Sequence, residues 1–313
     1  MVSPTRAVPS LLAHLSRAIG RESAQNELRW MRQALDDPPD GIRPPVKTLE
    51  EMVARRVRGE PLQYILGSQP FGPLNLIVRP PVLIPRPETE DWALRLADTL
   101  KHTASPSRTL KILDLCTGTG CIPLLLCRIL APGSAHALGV DISEDAVRLA
   151  EDNAKLCGFD VPALQASASD PAPSERQRNT FTPVLADLMH RDFVAQARLQ
   201  PPYDVITSNP PYIPKAQYAH LPRCVREYED PRALLGDPEP APEQIQKGLS
   251  FYHRIAQLVK EHALLREGGT LALEVGEGQA GEVAEIVLRE AGLRDVEVWR
   301  DPWDKERVVV ARP

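Results

Sequence analysis

Leu110-Lys111-Ile112-Leu113-Asp114-Leu115-Cys116-Thr117-Gly118-Thr119-Gly120, residues 110–120, decides the fold. Leu110 to Leu115 is a nearly unbroken apolar run of strand length, the pattern of a strand buried on both faces. Thr117 to Gly120 is a tight turn, and Ile122 to Leu130 reads as a helix. The same alternation continues outward. Ala137 to Asp141 is a second strand, Ser143 caps a helix from Glu144 to Cys157, and Pro183 to Asp187 is a third strand. Val205 to Ser208 is a fourth strand and Leu249 to Leu265 a helix. Gly268-Gly269 turns into a strand from Thr270 to Val275, followed by a helix from Gln279 to Ala291. Val296 to Trp299 and Arg307 to Ala311 finish as strands. Strands alternating with helices imply an α/β fold whose sheet is mostly parallel with helices on both faces. An antiparallel last pair is consistent with the short final connection.

Before residue 110 the pattern changes. Residues 10–66 read as helical, with helices from Ser10 to Ile19 and from Glu22 to Leu35. Thr48-Leu49-Glu50-Glu51 opens a third helix with a capping-box pattern. Residues 61–90 carry short apolar runs punctuated by Gly and Pro, which read as a β-hairpin between two domains. Thr89 or the turn before it caps a helix from Asp91 to Leu100. The expected division is a helical domain over 1–66, a hairpin linker over 67–90 and an α/β domain over 91–313.

The composition excludes several classes. Formal net charge is -5, which argues against a broad electrostatic footprint on nucleic acid. No apolar run reaches the roughly 18–20 residues of a membrane span. Cys116, Cys121, Cys127, Cys157 and Cys224 are odd in number and contain no C-x-x-C pair, so they read as reduced thiols. The seven histidines show no ligand spacing, and no metal is expected. Residues 1–21 contain Arg6, Arg17 and Arg21 and no acid, the composition of a mitochondrial transit segment. An ordinary first helix explains residues 10–20 equally simply.

Ligands of open α/β sheets sit at the carboxyl ends of the strands. Here those ends carry Asp114 with the glycine turn, Asp141, Asp187-Leu188, and Asn209-Pro210-Pro211-Tyr212. A glycine turn lets backbone approach a ligand, although any tight turn needs glycine. Asp141 can accept both hydroxyls of a ribose, or simply favour the start of the next helix. Asn209 precedes proline and is held extended. Neither proline offers a backbone donor. An amide side chain, the Pro210 carbonyl and the Tyr212 ring suit a planar substrate with an NH2 group. A proline-rich loop in a chain with 32 prolines is the plainer alternative.

Asp-x-Cys-Thr-Gly-Thr-Gly, Asp141, Asp187-Leu188 and Asn-Pro-Pro-Tyr together resemble the class I S-adenosylmethionine-dependent methyltransferases, with their Rossmann-like sheet. More narrowly, the chain resembles the HemK/PrmC family of peptide release factor N5-glutamine methyltransferases. Glu60-Pro61-Leu62-Gln63-Tyr64-Ile65-Leu66-Gly67 and Leu83-Ile84-Pro85-Arg86-Pro87-Glu88-Thr89-Glu90 are similar to that family's interdomain hairpin. Val225 to Leu234, Gly248 to Tyr252 and Glu306 to Arg312 are similar to its later motifs.

The resemblance implies S-adenosylmethionine as cofactor, held by Asp114, Cys116, Thr117, Gly118, Thr119, Gly120, Asp141, Ile142, Asp187, Leu188 and Asn209. It implies catalysis by Asn209, Pro210 and Tyr212, and substrate binding by Asn209, Pro210, Pro211 and Tyr212. The implied partner is a class I peptide chain release factor, docked by the helical domain, with the enzyme acting as a monomer in a mitochondrion or a bacterial cytoplasm. Cys116 departs from the family's usual glycine. Inserts near 161–180, 194–202 and 237–247 lengthen loops, and 161–180 is expected to be mobile. Residues 213–247 are expected to be a loop that covers or binds substrate; Glu229 reads as a charge in an exposed loop, with a polar partner in the site as the alternative. Two other functions compete: an N6-adenine methyltransferase of DNA or RNA, and a non-catalytic partner-binding module.

Overall fold

The structure is a computed structural model that describes residues 4–39, 41–103, 108–162, 178–238 and 247–313. Helices α1 (Pro4–Ile19), α2 (Arg21–Asp36), α3 (Leu49–Val57) and α4 (Leu62–Leu66) come first. Leu15, Leu28, Met31, Met52, Val53 and Ile65 are buried together between them. Their helical spacing is what brings them onto facing stripes. Thr48 caps α3 as expected, its hydroxyl accepting from the Glu51 N–H at 3.3 Å.

Strands β1 (Ser68–Phe71) and β2 (Leu74–Ile77) form the expected antiparallel hairpin. Helix α5 (Pro87–Thr103) starts four residues earlier than the sequence suggests, with proline at its first position, where no N–H is needed. Thr89 is therefore inside the first turn and does not cap the helix.

The remaining chain builds β3 (Leu110–Leu115), α6 (Cys121–Ile129), β4 (Ala135–Asp141), α7 (Glu144–Leu156) and β5 (Thr180–Leu185). It continues through α8 (Phe193–Gln196), β6 (Tyr203–Ser208), α9 (Lys215–Tyr218) and α10 (Arg223–Tyr228). It ends with α11 (Ser250–Glu261), β7 (Leu265–Glu274), α12 (Ala280–Ile286), β8 (Asp295–Arg300) and β9 (Glu306–Arg312). The seven-stranded sheet has the order β5-β4-β3-β6-β7-β9-β8. It is parallel from β5 to β7, and β9 runs antiparallel to both neighbours. Side chains alternate across it. Ile112, Val205, Ala272 and Val310 face α5, α6 and α7, whereas Leu113, Ile206, Leu271 and Val309 face α11 and α12.

Further boundaries differ from the sequence reading. β5 begins at Thr180 and ends before Asp187. Buried Asn179 sets that start: its amide donates to Cys127 O at 2.7 Å and accepts from Ala135 N at 2.9 Å. β5 thus begins inside the 161–180 insert, whose residues 163–177 lie outside the described residues. β7 starts at Leu265, where it pairs with Tyr203 across a register shift, and so α11 stops at Glu261. The segment after Tyr212 is not a plain loop, because α9, α10 and a 3-10 turn at Pro231–Ala233 occupy it. Residues 239–246 of that segment are outside the described residues.

Candidate active site

β3, β4 and β6 and the segment after β5 end around one cavity of about 380 Å³. That is the size of a small-molecule site. Its wall includes Cys116, Gly118, Asp141, Ile142, Asp187, Leu188 and Asn209, which the resemblance assigns to cofactor, and Pro211, which it assigns to substrate. Val82, Phe193, Arg232 and Phe251 also line it.

Asp141 shapes the glycine turn. One carboxylate oxygen accepts from Gly118 N at 2.8 Å and the other from Ser143 N at 2.9 Å. Burial pushes its pKa up, and those two N–H groups oppose the shift. Ser143, not Asp141, caps α7, accepting from Ala146 N at 3.4 Å. Asp187 accepts from Met189 N at 2.9 Å, which turns the chain back toward the cavity.

Asp114, Thr117, Thr119 and Gly120 are not on the cavity wall. Asp114 is fully buried behind the turn, where Thr207 donates to it at 2.6 Å. Its other oxygen, Oδ2, has no partner among the described residues. Burial raises its pKa to about 7. Gly120 faces the core instead of the cavity: a Cβ there would meet the Phe181 ring at 3.0 Å.

Cys116 lines the cavity at φ 59, in the left-handed region. This explains why a glycine suits the position, and why a small side chain is the least costly alternative.

Asn209 and Pro211 line the cavity; Pro210 and Tyr212 do not. The Asn209 amide donates to Thr89 Oγ1 at 3.3 Å. Among the described residues none donates to the Pro210 carbonyl. The Tyr212 hydroxyl is 3.5 Å from Glu274 Oε1. Its carbonyl accepts from Gln279 Nε2 at 2.9 Å. Gly248 abuts that carbonyl so closely that a Cβ would lie 2.1 Å from it. The aromatic residue is thus fixed by backbone as well as side chain.

Glu229 corrects the sequence reading. It is buried, and Arg86 Nη2 reaches both its carboxylate oxygens, at 2.6 and 2.8 Å. Burial still raises its pKa, with Arg86 opposing. Thr89, from the Leu83–Glu90 motif, meets Trp92 and Glu274 behind Asn209; the last two belong to no motif the sequence reading used.

A cavity with apolar walls, two carboxylates at strand ends and a backbone turn held open by Asp141 fits an adenosine-bearing cation. Ile142 and Leu188 offer apolar surface, and Asp141 can accept ribose hydroxyls.

A family model described as a methyltransferase domain matches residues 106–260, and one described as the PrmC N-terminal domain matches residues 42–67. A release factor glutamine methyltransferase of Geobacter sulfurreducens is 36% identical over 264 residues, 83% of this chain and 76% of that protein. Its counterpart in Chlorobaculum tepidum is 38% identical over 265 residues, 81% of this chain and 77% of that protein. A solved methyltransferase from Pyrococcus furiosus is 12% identical with a TM-score of 0.44, covering 74% of this chain and 87% of that one. The fold and site define an S-adenosylmethionine-dependent methyltransferase of class I. Within that class, the chain belongs to the release factor glutamine methyltransferase family.

Proposed function

We propose that this chain methylates the side-chain amide nitrogen, N5, of the glutamine in the Gly-Gly-Gln motif of a class I peptide chain release factor. The observation that carries this reading is the Asn209-Pro210-Pro211-Tyr212 segment, with the Asn209 amide on the cavity wall and, next in the chain, a Pro210 carbonyl to which no described residue donates. S-adenosylmethionine, when bound, supplies an electrophilic methyl group on a sulfonium.

The chain's own task is to hold a poor nucleophile. An amide lone pair is delocalised, so nitrogen attack depends on placement, which can supply about 7–11 kcal/mol of a barrier. Asn209 Oδ1 and the Pro210 carbonyl accept the two NH2 hydrogens, orient the nitrogen and offset the positive charge that develops on it. Pro211 and Tyr212 pack beside the flat amide. Once the methyl is bonded, one of the nitrogen's two hydrogens leaves as a proton to solvent, so no side chain has to act as a general base.

In this reading residues 1–66 dock the release factor, 67–90 link the two parts and 91–313 carry out transfer. The enzyme acts as a monomer on protein and not on nucleic acid. Among the described residues no helix is long and apolar enough to cross a membrane. The named relatives are bacterial and support a bacterial cytoplasm as its place. A mitochondrial place rests on the first residues, with Arg6, Arg17 and Arg21 and no acid, on the proline-rich inserts and on the retained helical domain. Mass spectrometry of a purified release factor after incubation with the enzyme and S-adenosylmethionine tests the function. One added methyl on the motif glutamine is expected. An unmodified factor beside labelled duplex DNA would overturn the reading in favour of adenine.

A further inference from the structure

Glu274 ends β7 with its side chain in the interior, 1% exposed. Its Oε2 accepts from Trp92 Nε1 at 2.8 Å and from Thr89 Oγ1 at 2.7 Å. Thr89 Oγ1 in turn receives the Asn209 amide at 3.3 Å. The Tyr212 hydroxyl approaches the other carboxylate oxygen. Three donors therefore surround Glu274. Burial raises the Glu274 pKa above the ordinary carboxylate value, and the Thr89 and Trp92 bonds and the charge of Arg307 oppose that shift.

The direction of protons along this chain follows from donor chemistry. An indole N–H can only donate, and a carboxylate can only accept. Thr89 has one hydroxyl proton and directs it to Glu274. Only lone pairs remain on Thr89 Oγ1 for its other neighbour. The end of Asn209 that faces Thr89 must then be the NH2 end, and the carboxamide oxygen points the other way.

We propose that Glu274 and Thr89 are positioning residues that fix which end of the Asn209 carboxamide meets the substrate. This rests on the reading that Asn209 Oδ1 accepts a hydrogen of the substrate NH2. A carboxamide is nearly symmetric in shape, so packing alone does not select one orientation. Turned over, Asn209 would present donors to donors. The relay makes the productive orientation the one that satisfies every buried group.

Two variants separate positioning from structure. Thr89→Val keeps the shape and removes the hydroxyl; Thr89→Ser keeps the hydroxyl. With the full chain, S-adenosylmethionine and a purified class I release factor, Thr89→Val should lose about 10- to 100-fold in kcat. Its KM for the factor and its calorimetric Kd for S-adenosylmethionine should stay near wild type, its Tm should fall by no more than the loss of one buried hydrogen bond explains, and Thr89→Ser should recover most of the rate. A wild-type kcat in Thr89→Val overturns the proposal. So does a Thr89→Ser variant as slow as Thr89→Val, or a loss of rate that accompanies lost cofactor affinity or lost folding. If the wild-type enzyme leaves every release factor unmodified, the substrate reading has failed, and neutron diffraction of the deuterated full chain still decides the relay. Deuterium on the Thr89–Glu274 bond and an Asn209 ND2 group facing Thr89 are expected; an Asn209 oxygen facing Thr89 overturns it.

Discussion

Arg86 and Glu229 lie 143 positions apart in the chain, yet one guanidinium nitrogen contacts both oxygens of a carboxylate whose side chain is 1% exposed. The pair ties the segment after the hairpin to the one that contributes Asp230 and Arg232 to the cavity wall. A second bond, Asp230 N to Pro81 O at 2.8 Å, reinforces it. Removing one partner leaves a buried charge uncompensated, which costs about 3–5 kcal/mol. Arg86→Met should therefore lower the urea midpoint strongly. Replacing both partners, Arg86→Met with Glu229→Leu, should recover much of the loss.

Asn209 is expected to separate binding from chemistry. Asn209→Ala removes one substrate acceptor and leaves Asp141, Ile142 and Leu188 in place around the cavity. Calorimetry should show S-adenosylmethionine affinity within a few-fold of wild type. Single-turnover methylation should fall by about 100-fold or more, the scale for losing one preorganised polar group.

Cys116 has a conformational cost that a substitution can reveal. At φ 59 a residue with a Cβ bears about 1–2 kcal/mol that glycine does not. Cys116→Gly should hold or slightly raise Tm and keep cofactor binding. Cys116→Val, branched at Cβ, should lose stability by at least a comparable amount. Equal Tm values for the two variants would contradict the left-handed backbone.

Asp114 makes the cofactor-free protein sensitive to pH. Its pKa of about 7 in the folded protein, set first by burial, exceeds the ordinary carboxylate value of 3.8. The folded state thus binds the proton more tightly than the unfolded state. The resulting stability is fully present below pH 4 and is lost as pH rises through 7. At about 1.4 kcal/mol per pKa unit the effect is on the order of 4 kcal/mol. Asp114→Asn should flatten urea stability between pH 4 and 7 relative to wild type, since an amide there can still accept from Thr207.

Most of the sheet was legible because its parallel strands are buried on both faces and must be apolar runs. The cavity wall was legible where ligand-facing residues sit at strand ends, as Asp141 and Asn209 do. β5 was harder, since its start depends on Asn179, a polar residue whose partners at Cys127 and Ala135 no local pattern reveals. Glu229 looked exposed because a charge among prolines normally is; only Arg86 permits its burial. Glu274 gave no signal, because the groups that give it meaning, Thr89 and Trp92, lie 185 and 182 positions away. The depth of Asp114 and Thr117 was hidden for a related reason. A motif shows which residues form a turn, but not which of them face inward.

Asn153 on α7 is fully buried, and one carboxamide serves three backbone groups. It accepts from Ile77 N at 2.7 Å, and donates to Ile77 O at 3.1 Å and to Thr119 O at 3.0 Å. The end of the hairpin and the glycine turn thus share a single fastener. Neither can detach from α7 without stripping partners from the same buried amide, so the two loosen as one cooperative unit. In hydrogen exchange, the Ile77 amide should open with the protons of the Thr117–Gly120 turn, although 40 residues separate Ile77 from Thr117 in the sequence.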